Sequence, residues 1–210
     1  MKKALIIGII MTVMLLSCKQ KEAQKTIVAE SDAEWISLFN GENLDGWFVR
    51  GGAKWDVRDS ILTGIDGMGH IYAEPVLTDL EVKGLFRVSE GGNSGLYFRC
   101  NPPKNNPDGF PRGYEAQIDN HAEAYTGWLW KPGEPTGKAK ELLTRDNEWF
   151  SLRLRAVGDF IQIWVNDQLV TEYHDSEYKK GHFAIQGHNE GMMIQAKELY
   201  YRDLSPHSSE

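Results

Sequence analysis

The chain contains very little cysteine. Cys18 and Cys100 are the two cysteines among its 210 residues, and Cys18 directly follows an apolar N-terminal run, which leaves Cys100 without an intrachain partner. A disulfide framework is therefore excluded. The sequence also lacks the CxxC and HxxxH spacings of common zinc sites. The fold must be stabilised by an apolar core, for which 41% hydrophobic residues suffice.

Sequence signatures of several enzyme classes are also missing. No Gly-x-Ser-x-Gly segment marks a nucleophile elbow. The glycine-rich segment 91–95, GGNSG, precedes a strand-like segment, so it offers no helix N-terminus to a phosphate group. No internal repeat is present, and few stretches show the 3.6-residue apolar period of a helix.

Positive charge is in deficit. The chain has 23 Lys and Arg against 30 Asp and Glu, a net charge of −7. Without the first 17 residues, which hold two Lys and no acid, the balance becomes 21 minus 30, or −9. This net charge argues against nucleic acid, and against an anionic membrane surface, as a partner.

The first residues are typical of a secretory signal. Lys2 and Lys3 precede an apolar run over residues 4–16 that is too short to span a bilayer as a stable helix. The run ends in LLSC, which resembles the lipobox of bacterial lipoproteins, although an ordinary cleaved signal with an incidental Cys18 is the alternative. The protein would then be secreted and lipid-anchored to a bacterial membrane, in the periplasm or at the outer membrane. We expect a lipoprotein signal peptide over residues 1–17, lipidation of Cys18, a flexible tether over residues 18–33 and a single domain over residues 34–205.

Short alternating apolar segments bounded by Gly, Asn, Asp and Pro recur along the rest of the chain. Such segments are typical of strands with one buried face. About a dozen of them without crossover helices predict an all-β fold, a two-sheet antiparallel jelly-roll sandwich. Residues 102–111 and 128–140 are predicted as long loops, which are usually functional or covering elements. The predicted strands are 55–58, 61–63, 80–88, 94–99, 114–120, 149–156, 160–165, 169–173, 181–187 and 192–201.

Three of these strands alternate polar with apolar side chains. Successive side chains of a strand point to opposite faces, so the segment 113–121, GYEAQIDNH, turns three polar groups to one face while Ala116 and Ile118 point to the other. Strands 94–99 and 181–187 show the same alternation. If the three strands are near neighbours, their polar groups form one concave surface that suits an active site better than a solvated sheet face. The members of this surface are Glu115, Gln117, Asp119, Tyr97, Arg99, Gln186 and His188.

Each part of this surface also has a structural explanation. Alternating polar residues on a single strand are most often the solvated face of a sheet. His70, two residues before Tyr72, is either a structural residue or part of the site. Trp128 and Trp130 are either core residues or loop platforms on which a sugar ring would stack, since an indole is amphipathic. These three residues are therefore candidates for substrate binding.

Several motifs in a fixed order resemble a known family. They are WISLFNG at residues 35–41, LDGW at 44–47, WDV at 55–57, GGNSGLYFR at 91–99, YEAQIDN at 114–120, EW at 148–149 and AIQGH at 184–188. Together they resemble the 3-keto-disaccharide hydrolase family, formerly a domain of unknown function, over about residues 33–204. The resemblance implies a concanavalin-like jelly roll of the lectin and glucanase type, and activity on glycosides oxidised to a ketone at C3. This chain has IQGH where the family usually has LQ-x-H.

The implied chemistry needs a base, an oxyanion stabiliser and a proton donor. A C3 ketone acidifies the proton at C2, so a base that removes it forms an enolate whose collapse expels the C1 substituent, and water completes a net hydrolysis. The sequence requires no cofactor, but a divalent metal cation held by Glu115, Asp119 and His188 is an alternative electrophile. For this chemistry our hypothesis is that His188 or Glu115 is the base, that Asp119 or Tyr97 lies near the leaving group, and that Arg99, Gln186 and Gln117 orient and stabilise the oxyanion.

Two other functions stay open. A direct endo-glycosidase of the laminarinase type shares the jelly roll, and its retaining members hold two carboxyl groups ~5–5.5 Å apart. Residues four apart on a straight strand have α-carbons ~14 Å apart, so Glu115 and Asp119 would need a bulge to cooperate. A non-catalytic carbohydrate-binding module at the cell surface is the second alternative. All three functions take a carbohydrate as the partner.

Overall fold

The structure is a computed structural model that describes residues 33–106 and 109–206. The described residues form fifteen β-strands and no α-helix, and within them no helix is long and apolar enough to cross a membrane. The predicted signal peptide, the lipidation of Cys18 and the predicted tether lie outside the described residues and stay predictions.

The strands form two antiparallel sheets. We call the seven-stranded sheet the front sheet and the eight-stranded sheet the back sheet. The front sheet has the order β10 (Glu134–Gly137), β9 (Leu129–Lys131), β8 (Arg112–Asp119), β7 (Asn93–Asn101), β14 (His182–Gly187), β5 (Gly69–Ala73) and β2 (Trp47–Gly51). The back sheet has the order β13 (Gln168–His174), β12 (Phe160–Val165), β11 (Phe150–Val157), β6 (Leu80–Val88), β15 (Met193–Asp203), β4 (Ile61–Ile65) and β3 (Lys54–Arg58), and β1 (Ile36–Ser37) also pairs with β15.

The core lies between the two sheets. Period-two alternation places Phe86, Leu152 and Ile163 of the back sheet and Phe98 and Ile118 of the front sheet in one cluster, all of them fully buried. The polar alternates of each strand face outward, so each sheet has an outer face that the core does not use. The predicted two-sheet antiparallel sandwich is confirmed.

Tight turns join several consecutive strands. Asp59 and Ser60 both have positive φ, as do Asn166 and Asp167, which is the backbone of a two-residue hairpin whose twist matches the strands. The predicted loop over residues 128–140 is wrong, because β9 and β10 form a hairpin inside it. Both strands are short, and the Pro135 and Gly137 of β10 weaken the strand pattern in the sequence.

A bulge in β7 redirects Arg99. The register with β8 shifts between Phe98 and Asn101, and Arg99 has φ 46°. Cys100 therefore takes the face of Tyr97 and packs with it. The expectation that Arg99 shares that face is wrong.

The Arg99 guanidinium instead ties the two sheets together. It is 1% exposed, and it donates from Nε to the Thr78 carbonyl at 2.6 Å, from Nη1 to the Gly158 carbonyl at 2.8 Å and from Nη2 to Asp79 Oδ1 at 3.1 Å. Gly158 belongs to the turn between β11 and β12 of the back sheet, so Arg99 joins the front sheet to that turn.

Replacing Arg99 tests this structural role. Arg99→Lys keeps the charge and the strained φ but cannot reach all three acceptors, so we expect the free energy of unfolding to fall by about 2–4 kcal/mol. Urea unfolding measures the change. The exposed Arg58→Lys is the matched control and should stay within ~0.5 kcal/mol of wild type. Equal stability of the two variants would contradict the role.

Candidate functional site

A pocket opens on the outer face of the front sheet. It encloses about 390 Å³, and its floor is formed by β7, β8 and β14, which are consecutive neighbours in the sheet. The structure thus brings together five of the seven residues predicted for the concave surface. They are Tyr97, Glu115, Gln117, Gln186 and His188.

The sheet register explains how distant segments meet at the floor. Tyr97 lies opposite Glu115 on β8 and opposite Ala184 on β14. The Gln186 amide donates from Nε2 to the Tyr97 hydroxyl at 3.3 Å, and the Tyr97 hydroxyl is hydrogen-bonded to the Glu115 carboxyl. Polar side chains of all three strands therefore meet at the Glu115 carboxyl.

Glu115 lies directly over Gly95. A Cβ added at Gly95 would fall 1.9 Å from Glu115 Oε1 and 2.6 Å from its Cδ, so the carboxyl occupies the space where any other residue would put its side chain. Glu115 is 9% exposed. The segment 91–95, GGNSG, contributes this glycine, and it makes room for a carboxyl instead of a phosphate.

Burial shifts the two titratable groups of the pocket in opposite directions. Burial raises the pKa of Glu115 to about 8, although the hydrogen bond from Tyr97 opposes the shift. Burial lowers the pKa of His188, and the nearby Asp119 carboxylate opposes that shift. At neutral pH the pocket therefore holds a protonated carboxyl and a neutral imidazole, one group able to donate a proton and one able to accept it.

His70 lies beside the pocket. His70 lies on β5, opposite Gln186 of β14 in the sheet register, and it is fully buried. Its ring centroid is 5.2 Å from that of Tyr97, in an edge-on arrangement. Desolvation lowers its pKa to about 3, with a smaller contribution from His188. Both ring nitrogens and Gln186 Oε1 are buried without a hydrogen-bond partner. Unsatisfied polar groups therefore lie in the pocket floor, at Gln186, and beside it, at His70.

Two predicted site residues have structural positions instead. Asp119 Oδ1 accepts hydrogen bonds from the amides of His121 at 2.7 Å and Ala122 at 3.0 Å, so its carboxylate shapes the turn after β8 and does not line the pocket. Trp128 packs against the core and edge-on against Tyr125. Its neighbour Trp130 does line the pocket.

The suggested metal ligands are not brought together as a set. No group of three or more His, Cys, Asp or Glu within residues 33–106 and 109–206 is placed to hold a metal ion. Asp119 Oδ1 is hydrogen-bonded to the backbone amides of the turn that follows β8.

The pocket walls come from segments that carry no periodic signal. Lys131 is fixed by Asp175 Oδ2 at 3.0 Å and Glu177 Oε2 at 3.1 Å, and the Phe110 ring centroid lies 6.0 Å from that of His188. The predicted loops indicated covering segments but not which side chains face inward. The lining residues that sequence reasoning missed are Asn93, Phe110, Pro111, Ala122, Lys131, Pro132 and Gly133.

The contact between Gly95 and Glu115 is open to a double-mutant cycle. Gly95→Ala should lower the free energy of unfolding by about 1–3 kcal/mol, because its methyl group overlaps the carboxyl. In a Glu115→Ala background the carboxyl is absent, so Gly95→Ala should leave the free energy of unfolding nearly unchanged. Thermal or urea unfolding of the four proteins measures the coupling. Equal losses in both backgrounds would contradict the contact.

The raised pKa of Glu115 predicts that stability falls as the pH rises. The folded chain keeps the Glu115 proton to about pH 8, whereas the unfolded chain releases it near 4.5. The folded state therefore binds more protons in this interval, and the free energy of unfolding decreases by up to ~1.4 kcal/mol per pH unit. Buried His70 has the opposite effect, but only below pH 6.5.

Urea unfolding between pH 6.5 and 8 measures this slope. We expect Glu115→Gln to show a shallower decrease than wild type, because Gln carries no proton to lose. The exposed Glu172→Gln is the matched control and should keep the wild-type slope. Parallel slopes for all three proteins would show that Glu115 is ionised in the folded state.

Comparison with known proteins gives both sequence and structural relatives. A family model described as the 3-keto-alpha-glucoside-1,2-lyase-like domain matches residues 34–205. The levanase of Bacillus subtilis (strain 168) is 24% identical over 147 residues, which are 68% of this chain and 21% of the levanase, so the chain spans about a fifth of that relative. A candidate glycosyl hydrolase from Parabacteroides distasonis ATCC 8503 has a TM-score of 0.69 at 18% identity, over 81% of this chain and 94% of that one. The carbohydrate-binding module CBM66 from Bacillus subtilis has a TM-score of 0.59 at 20% identity, over 75% and 96%.

The structural relatives show the fold, and the family model shows the family. At these identities the solved structures support a lectin-like jelly roll, as predicted. The family model covers most of the chain, which confirms the resemblance carried by the motifs and indicates a carbohydrate-related function. The chain belongs to the 3-keto-disaccharide hydrolase family, with a 3-keto-alpha-glucoside-1,2-lyase-like domain over residues 34–205.

Proposed function

We propose that the protein cleaves 3-keto-glycosides by elimination followed by hydration. The observation that carries this proposal is the pairing, in one pocket, of a protonated Glu115 carboxyl with a neutral His188 imidazole. Elimination needs one group that accepts a proton and another that donates one, and the two opposite pKa shifts supply both at neutral pH.

The reaction balances as a net hydrolysis. His188 takes the C2 proton, and the C2–H electron pair forms an enolate with the C3 ketone. The enolate collapses to a C1–C2 double bond as the C1–O bond breaks, and Glu115 gives its proton to the departing oxygen. Water then adds across the double bond, OH to C1 and H to C2, which yields the free 3-keto sugar. Gln117, Gln186 and the Tyr97 hydroxyl would bind the sugar's oxygen atoms.

The pocket has the size and surface of a site for a small sugar. Its volume lies in the range of small-molecule sites, ~300–1,000 Å³. Trp130, Phe110 and Pro132 give it apolar walls against the C–H faces of a sugar ring. The polar groups of the floor lie where the reacting carbons would be, and Lys131 is the charged residue of the walls.

The direct glycosidase is less well supported than elimination. That mechanism uses two carboxyl groups flanking one bond, whereas Glu115 is the one carboxyl among the described residues that line the pocket. Asp119, the expected second acid, is held by the amides of His121 and Ala122. The likeness to a carbohydrate-binding module keeps binding without turnover as the second candidate function.

Leaving-group dependence tests the two roles. With a 3-keto-glucoside whose aglycone is a simple alcohol, Glu115→Gln should lower kcat/KM by about 10²–10⁴-fold, because the alkoxide must be protonated as it leaves. With a nitrophenyl aglycone the same variant should lose little, since nitrophenolate leaves without an acid. His188→Asn should be about 10²–10⁴-fold slower with both substrates, because each requires loss of the C2 proton.

The controls separate the three candidate functions. The exposed Glu172→Gln and His174→Asn should behave as wild type with both substrates. The rate should rise as His188 loses its proton below pH 6.5 and fall as Glu115 ionises near pH 8, and Glu115→Gln should lose the alkaline limb. Cleavage of the unoxidised glucoside would favour the direct glycosidase, and binding of the keto sugar without turnover would favour a binding module.

A further inference from the structure

The outer face of the back sheet, opposite the pocket, is lined by cations and aromatic rings. Arg153 lies 4.0 Å from the ring centroid of Trp164, and Lys197 lies 4.7 Å from that of Trp149. Tyr200 on the same face is 36% exposed. Arg153, Trp164, Lys197 and Tyr200 lie on β11, β12 and β15, and Trp149 directly precedes β11. Together with β6, these are consecutive strands in the centre of the sheet.

This face is positive although the chain is acidic. Its cations are opposed by Glu81, which is 1% exposed and accepts hydrogen bonds from Arg202 at 2.7 and 2.9 Å and from Arg153 at 3.3 Å. Exposed carboxylates at its border are those of Glu148 and Glu198. Glu172 on β13 and Asp56 on β3 lie on the same face, by their pairing with Gln162 and Thr63. The cations of the face still outnumber these five carboxylates, and they are Lys54, Arg58, Lys83, Arg87, Arg153, Arg155, Lys197 and Arg202.

The net charge of the whole chain does not decide whether the outer face of the back sheet binds an anionic surface. Charges farther away than a Debye length, about 8 Å at physiological ionic strength, are largely screened. The acidic groups of the front sheet lie beyond a core that separates the sheets by about 10 Å. A flat anionic surface that contacts the back sheet would therefore be attracted to the cations of that sheet, even though the whole chain has a net charge of −7.

The chain also enters the domain over this face. The Trp35 ring lies under Lys83 Nζ at 4.1 Å and under the Arg202 guanidinium at 4.6 Å. Residues 19–34 separate Cys18 from Trp35, and sixteen residues reach at most about 58 Å when extended and about 22 Å as a random chain. If Cys18 is lipidated as predicted, a tether of this length allows the back sheet to reach the membrane surface.

We infer that the outer face of the back sheet docks on an anionic phospholipid membrane. Indole and phenol rings are favoured at the headgroup level, and each nearby cation adds attraction to anionic lipid. The domain would then lie flat, with the pocket of the front sheet open to the aqueous side. This orientation is independent of the reaction that the pocket performs.

Lysine footprinting of the full chain tests this docking. The protein is reconstituted in vesicles of phosphatidylcholine with or without phosphatidylglycerol, acetylated with a water-soluble reagent, and analysed by mass spectrometry. We expect Lys83 and Lys197 to be protected in the vesicles with phosphatidylglycerol and the protection to be lost at high salt. Lys104 and Lys138, on segments of the front sheet, are internal controls and should be labelled equally in both vesicles.

A charge-reversal pair sharpens the test. Lys197→Glu should reduce the protection of Lys83 about fivefold or more, whereas Lys138→Glu, the matched change elsewhere, should leave it unchanged. Equal labelling of Lys83 and Lys197 in the two vesicle types would overturn the inference. Protection by soluble dextran sulfate but not by vesicles would also overturn it, because the face would then be a site for an anionic polysaccharide.

Discussion

The desolvation of one carboxyl group underlies the candidate site. Glu115 lies in the space that Gly95 leaves open, under the hydroxyl of Tyr97 and away from water. In that position the charged form is disfavoured, so the group keeps its proton at a pH where an exposed glutamate has lost it. The sheet register, the glycine and the hydrogen bond from Tyr97 all serve to hold this one group in place.

Alternation along a strand predicted much of the fold and the floor of the pocket. It is informative where one face of a strand is buried, as in β6 and β12, because a shift of one residue would move every apolar side chain out of the core. Alternation also explains why the polar residues of β7, β8 and β14 point to one face of their sheet. Their neighbourhood in the sheet depends on long-range pairing, which alternation does not specify, so the sequence offered it only as a condition.

The failures of sequence reasoning have local physical causes. Arg99 does not share the face of Tyr97, because a bulge with left-handed backbone inserts one residue into β7. No residue type in the sequence marks such a bulge. Asp119 lies at a strand end, where its carboxylate is close enough to hydrogen-bond the amides of the following turn. The walls, including Phe110 and Lys131, lie on segments without period, so their direction depends on tertiary packing.

The buried carboxyl also bears on whether this jelly roll binds or catalyses. A binding site for a neutral sugar is served by amides, hydroxyls and aromatic rings, and burying an ionisable acid without a cationic partner lowers stability above its normal pKa. The bound sugar would gain no more from the acid than from an amide of the same shape. A proton donor, in contrast, is useful because its pKa lies near the working pH. The presence of a desolvated Glu115 in the same pocket as the neutral imidazole of His188 is therefore easier to explain by proton transfer than by recognition.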